Sequence, residues 1–165
     1  MKTSEIKQGD LLFLSGKGII ETIIQWVTRS KFYHVAVFIN DHELIEAQGG
    51  EKTSIVPLSK YLNSKDNLYV YRDVTLTDYE RYKIANYALS HQGIEYNYMS
   101  ILAELLRYEM HISLDDYNEG NKRICSSFVN DCFKSIGKKL SEQKVPSPQD
   151  IVEGKVLTRI GKLKK

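Results

Sequence analysis

The run Tyr33-His34-Val35-Ala36-Val37-Phe38-Ile39 is β-branched and aromatic, is bounded by Asn40-Asp41, and reads as a strand. Glu43-Leu44-Ile45-Glu46-Ala47-Gln48 reads as its hairpin partner, closed by Gly49-Gly50. With a three-residue loop (Asn40, Asp41, His42), Ile39 faces Glu43, Ala36 faces Glu46 and His34 faces Gln48. His34 and Glu46 then share a face as diagonal neighbours, about 7–8 Å apart at the backbone and within reach of each other's side chains. A two-residue loop would shift the register and send them to opposite faces. The hairpin therefore predicts an otherwise apolar antiparallel sheet that carries an imidazole beside a carboxylate. Taken singly, His34 reads equally as a satisfied core histidine and Glu46 as a solvated strand residue.

A second feature gives that pair a purpose. In Arg123-Ile124-Cys125-Ser126-Ser127-Phe128-Val129 an extended polar stretch gives way to an amphipathic helix. Its apolar positions Phe128, Val129, Cys132, Phe133 and Ile136 recur at the helical period, and Gly137 follows as a stop. Cys125 falls at or next to the helix N-terminus, where unpaired N–H groups and the macrodipole favour an anion. A thiol in such a setting can titrate well below its usual value of about 8.5. Cysteine is also a small residue often buried for its own sake. A helix-start Cys with a His and a Glu on one sheet face nevertheless forms a coherent nucleophile, base and orienter.

The order and surroundings of these residues resemble the circularly permuted papain-like cysteine hydrolases of the NlpC superfamily, the YaeF/YiiX-like group. The corresponding pieces are Gly9-Asp10-Leu11-Leu12-Phe13, Ser30 through Phe38, Leu44-Ile45-Glu46-Ala47, Val70-Tyr71-Arg72, Gly93 through Asn97, Cys125-Ser126-Ser127-Phe128-Val129 and Ser147-Pro148-Gln149-Asp150-Ile151. They span nearly the whole chain. The resemblance implies an α+β, permuted papain-like fold. In it an antiparallel sheet or small barrel carrying His and Glu packs against the helix bearing Cys. It also implies Cys125 as nucleophile, His34 as base and Glu46 as third member. The family's usual aromatic before the Cys is Ile124 here, and its Tyr-Asp pair is Tyr96-Asn97, so Tyr96 enters only as a residue that could shape the substrate site.

Length and composition fit one domain over residues 1–165. A net charge of +2 points to no polyanionic partner, and Lys162, Lys164 and Lys165 read as a solvated tail rather than a nucleic-acid arm. The N-terminal Met1 to Gln8 is polar, and no stretch approaches the roughly 20 apolar residues of a membrane span, so a cytoplasmic location is the expectation. Cys125 and Cys132 stand about 10 Å apart along one helix and are expected as free thiols, Cys132 in the core.

The remaining chain alternates strands and helices. Asp10 to Ser15 predicts a strand and Ile19 to Thr28 a helix with Ile19, Ile20, Ile23, Ile24 and Val27 apolar. Ser54 to Leu58 and Leu68 to Arg72 read as strands. Thr77-Asp78-Tyr79-Glu80 opens a capping-box helix running to about Gln92. Tyr98 to Met110 reads as a helix and Asp115 to Asn121 as a loop. Ser147-Pro148 starts a short helix closed by Gly154, and Lys155 to Ile160 predicts a last strand.

No zinc motif is present, Gly16-Lys17-Gly18 is too short for a phosphate loop, and Asp115-Asp116 with Glu119 is too sparse for calcium. No metal or cofactor is therefore expected. Three functions stand, in this order. The first is a cysteine hydrolase cleaving an amide or peptide bond through a Cys125-His34-Glu46 triad and an acyl-enzyme. The second is an acyltransferase or thioesterase/esterase acting on lipid, of lecithin retinol acyltransferase type, with Ile101 to Leu106 as the stretch able to supply an apolar cleft. The third is a catalytically silent binding module. The expected partner is a small-molecule, peptide or lipid-derived acyl substrate.

Overall fold

Two apolar runs, Leu11-Leu12-Phe13-Leu14 and Val35-Ala36-Val37-Phe38, are buried at every position, which means that both faces of the sheet they form are covered. The computed structural model describes residues 1–27, 29–47, 52–94, 125–143 and 146–163. Within them lie strands β1 (Leu11–Ser15), β2 (His34–Phe38), β3 (Glu43–Glu46), β4 (Ser54–Pro57), β5 (Asn67–Arg72) and β6 (Thr158–Lys162). These form one antiparallel sheet in the order β4-β3-β2-β1-β5-β6. The helices are α1 (Ile19–Val27), α2 (Ser59–Leu62), α3 (Asp78–Ser90), α4 (Cys125–Lys134) and α5 (Pro148–Glu153).

Alternation along the strands sorts the core into two layers. Leu11, Phe13, Val35, Val37 and Ile45 point to the face that packs on Ile84, Ala85 and Ala88 of α3 and on Phe128, Val129, Cys132 and Phe133 of α4. Leu12, Leu14, Ala36, Phe38, Leu44, Leu68 and Val70 point the other way, where Leu58, Tyr61 and Leu163 cover them. By parity His34 and Glu46 belong to this second face.

The hairpin has the expected register. Val37 pairs Ile45 and Phe38 pairs Leu44, and the Ile39 N–H donates to Glu43 O at 3.1 Å across the three-residue loop. Asn40 ties that loop, its Oδ1 accepting from the N–H groups of His42 and Glu43. Local capping chemistry sets the helix starts: Thr77 and Ser147 each exchange bonds with the residue three on, Glu80 and Asp150. After α4 the chain turns through Gly137 at φ +77°, a left-handed conformation that a side chain would strain.

Two expectations are corrected. The last strand is Thr158–Lys162 rather than Lys155 to Ile160, because pairing with β5 defines it: Thr158 faces Arg72 and Lys162 faces Tyr69, across a bulge at Val70/Tyr71. Lys155 instead takes a positive φ of 62° at the turn out of α5. The helix opened by Thr77 ends at Ser90, short of Gln92. Of the α1 stripe Ile24 is buried, and Trp26, which flanks the stripe, is 71% exposed; the side chains of Ile19, Ile20, Ile23 and Val27 lie outside the described residues. So do the helix expected at Tyr98 to Met110 and the loop expected at Asp115 to Asn121.

Candidate active site

His34 is the first residue of β2, opposite Leu14 of β1, so its ring sits where the ladder ends. From that corner it reaches both layers. On one side its Nε2 lies 2.8 Å from Oε2 of Glu46, the last residue of β3. On the other it interacts with Cys125, the first residue of α4, which packs on the opposite face of the sheet. With Nε2 engaged by the carboxylate, Nδ1 is the ring nitrogen left for the thiol. The structure thus brings together the three residues singled out in the sequence, across separations of 12 residues within the hairpin and 91 to the cysteine. Tyr96, with Asn97 and Ile124, lies outside the described residues.

Burial makes this contact electrically demanding. His34 is 9% exposed, Cys125 2% and Glu46 not at all. Burial alone would depress the imidazolium, but the hydrogen bond and charge of Cys125, and then those of Glu46, push His34 up to about 10. Burial would likewise raise the Glu46 carboxyl, yet its bonds to His34 and then Lys60 hold it below the ordinary carboxylate value. Both shifts favour a buried imidazolium–carboxylate pair. Tyr33 stacks on the His34 ring at 6.3 Å between centroids and 25° between planes. Its hydroxyl donates to Asp66 at 2.9 Å, which anchors that ring away from the imidazole nitrogens.

Sequence reading missed two further groups on Glu46. Lys60 Nζ donates to Oε1 at 2.6 Å, and the Tyr61 hydroxyl donates to Oε2. Both come from α2, which is four residues long and too short to show a helical period. The remaining signal was Tyr61 itself, an amphipathic residue that covers the second face of the sheet with its ring while its hydroxyl finds a buried acceptor.

Cys132 provides the contrast. It shares α4 with Cys125, is fully buried in the core, and burial pushes its thiol far up, so it stays protonated. Both cysteines are free thiols. Among the described residues no group of three or more His, Cys, Asp or Glu side chains could hold a metal ion.

The chain belongs to the family of permuted papain-like amidases, YaeF/YiiX, C92 family, whose model matches residues 5–156. It is 29% identical over 178 residues to the probable lipoprotein peptidase YaeF of Escherichia coli strain K12, a match covering 92% of this chain and 65% of that protein. The chain therefore spans about two thirds of the length of this curated relative. Its fold matches the crystal structure of the metalloprotein YiiX from Escherichia coli O157:H7 with a TM-score of 0.71 at 19% identity, over 96% of this chain and 98% of that one.

Proposed function

We propose that this protein is a cysteine-dependent hydrolase that cleaves an amide or peptide bond, with Cys125 as nucleophile, His34 as base and Glu46 as the residue that orients and charges His34. The observation that carries this reading is the placement of His34 between Cys125 and the buried Glu46. In the proposed reaction the Cys125 sulfur adds to the substrate carbonyl carbon, and the Cys125 backbone N–H, at the open end of α4, is one donor to the developing oxyanion. Collapse breaks the C–N bond as the His34 imidazolium hands its proton to the leaving nitrogen. His34 then takes a proton from water, which attacks the acyl-enzyme and returns Cys125 to its thiolate. Glu46 holds the ring through Nε2 in both halves. Tyr96 belongs to the proposal as a wall of the substrate site, and so does a cytoplasmic location.

Thiol reactivity tests the nucleophile without a substrate. Iodoacetamide applied to the native protein near pH 6, followed by peptide mass spectrometry, should label Cys125 well before Cys132. The reason is that Cys125 has an imidazole partner and a helix N-terminus, while Cys132 has neither and its thiol is held protonated. Equal or reversed rates would remove the support for a nucleophile at the helix start.

Substrate class is tested by chain length. Burying an acyl chain contributes about 0.8 kcal/mol per methylene, so extending an ester substrate from about four to about twelve carbons would raise kcat/KM by roughly 10⁴- to 10⁵-fold in a lipid-directed enzyme. An amidase relying on a few polar contacts around a short amide should show a rise below about tenfold. We expect the shallow series. A steep one would transfer the same triad to acyl-lipid chemistry.

A further inference from the structure

Glu46 is wholly buried and accepts from three side chains: His34 Nε2 at 2.8 Å, Lys60 Nζ at 2.6 Å and the Tyr61 hydroxyl. The last two play no part in the triad chemistry above, yet they occupy both carboxylate oxygens. Charge explains why. A carboxylate, an imidazolium and a thiolate in one buried cluster leave one negative charge in excess, and a buried net charge is costly. Lys60 brings the sum to zero. Its side chain is 40% exposed, so the ammonium keeps contact with solvent while its tip reaches a carboxylate that has none.

The groups facing the cluster are few. From β2 and the residue before it come His34 and Tyr33, from α2 come Lys60 and Tyr61, and from α4 comes Cys125. Glu21 and Asp66 add negative charge near Tyr33. Among the described residues Lys60 is the one ammonium or guanidinium in contact with Glu46.

We propose that Lys60, supported by Tyr61, is a positioning residue of this centre. Its ammonium neutralises the second oxygen of Glu46, so that carboxylate, imidazolium and thiolate exist together in a buried site. This rests on the triad reading above. Without Lys60 the thiolate would complete a buried cluster carrying one net negative charge, which disfavours the reactive ion pair. Tyr61 is neutral and supplies a hydrogen bond rather than a charge, so its loss acts in the same direction but less.

The test is the rate of Cys125 alkylation by iodoacetamide from pH 4.5 to 9 in the full chain. Lys60→Met should move the acid limb up by about one unit, which is about tenfold slower labelling below the limb with rates above it close to wild type. Lys60→Arg should return the limb, and Tyr61→Phe should shift it less than Lys60→Met does. A role in folding alone would change the rate equally at all pH values. A Lys60→Met profile parallel to wild type, or a shift that Arg does not restore, overturns the inference. Glu46→Gln in the same assay separates the two readings. If it moves neither limb, the triad has failed; if it moves them while Lys60→Met does not, only the role of Lys60 has failed.

Discussion

His34→Ala should lower kcat by about 10²–10⁴-fold on any substrate that the enzyme turns over, the share a positioned acid–base group supplies. The fold should survive, because His34 stands at the first position of β2, at the end of the ladder, and the apolar run Val35 to Phe38 keeps its own packing. Glu46→Gln should cause a smaller loss with a changed pH profile. His34 is raised above its unfolded value of about 6.5, so the stability its charged form contributes is complete below that pH and is lost as pH rises through about 10. Glu46 is lowered, so its contribution is present above its ordinary value of about 4.3 and is lost as pH falls through the depressed one. The pair therefore persists across the neutral range, and the fall in activity on the alkaline side should come from deprotonation of the imidazolium. Glu46→Gln removes the carboxylate charge and should bring that alkaline limb down toward neutrality. The amide keeps the carboxylate's shape, and Lys60 can turn to water. Steady-state kinetics against pH on the wild type and both variants would check this. Near wild-type turnover in both would make the triad assignment wrong even with a reactive Cys125.

The second large effect lies away from the candidate site. Asp10→Ala should destabilise the protein by about 3–5 kcal/mol, the cost of breaking a buried ion pair by removing one partner. Asp10 has no exposed surface. It accepts Arg72 Nε and Nη2, each at 2.7 Å on a different oxygen, a bidentate pair. Arg81 Nη1 approaches at 3.4 Å, and the Lys7 N–H donates at 2.8 Å. The substitution leaves two guanidinium groups without the carboxylate they share, one of them on α3 and 7% exposed. Urea denaturation should show a lower midpoint with an unchanged slope. A loss below about 1 kcal/mol would mean that solvent screens this cluster as it does a surface pair. Iodoacetamide labelling of Cys125 in the folded fraction should be unaffected, since no contact links Asp10 to His34, Glu46 or Cys125.

Local rules made much of this molecule legible. The register of the β2–β3 hairpin follows from its three-residue loop and from alternation, so the shared face of His34 and Glu46 could be read directly from residues 33 to 48. The starts of α3 and α5 were written in Thr77/Glu80 and Ser147/Asp150, side chains that satisfy helix N–H groups only three residues away. The start of α4 at Cys125 followed from the onset of apolar periodicity.

What failed to show were the features whose energy comes from distant partners. The limits of β6 depend on the ladder with β5, about ninety residues away, and not on the indifferent strand preference of Thr158-Arg-Ile-Gly-Lys162. Gly9-Asp10 was visible as a pair, but the burial of its carboxylate between Arg72 and Arg81 was not. Lys60 and Tyr61 lie on a helix of one turn, and only packing against the second face of the sheet brings them to Glu46.

Within the candidate site the division is sharp. Sequence alone determined that an imidazole and a carboxylate would sit side by side on a strand pair and that a thiol would open a helix, because loop length, strand alternation and helix periodicity act within about a dozen residues. Only the tertiary structure decided that the thiol would meet the imidazole at the corner of the sheet, and that a lysine and a tyrosine would close on the carboxylate. Those contacts join segments whose relative placement comes from burying two apolar layers on opposite faces of one sheet, and that burial depends on the whole chain at once.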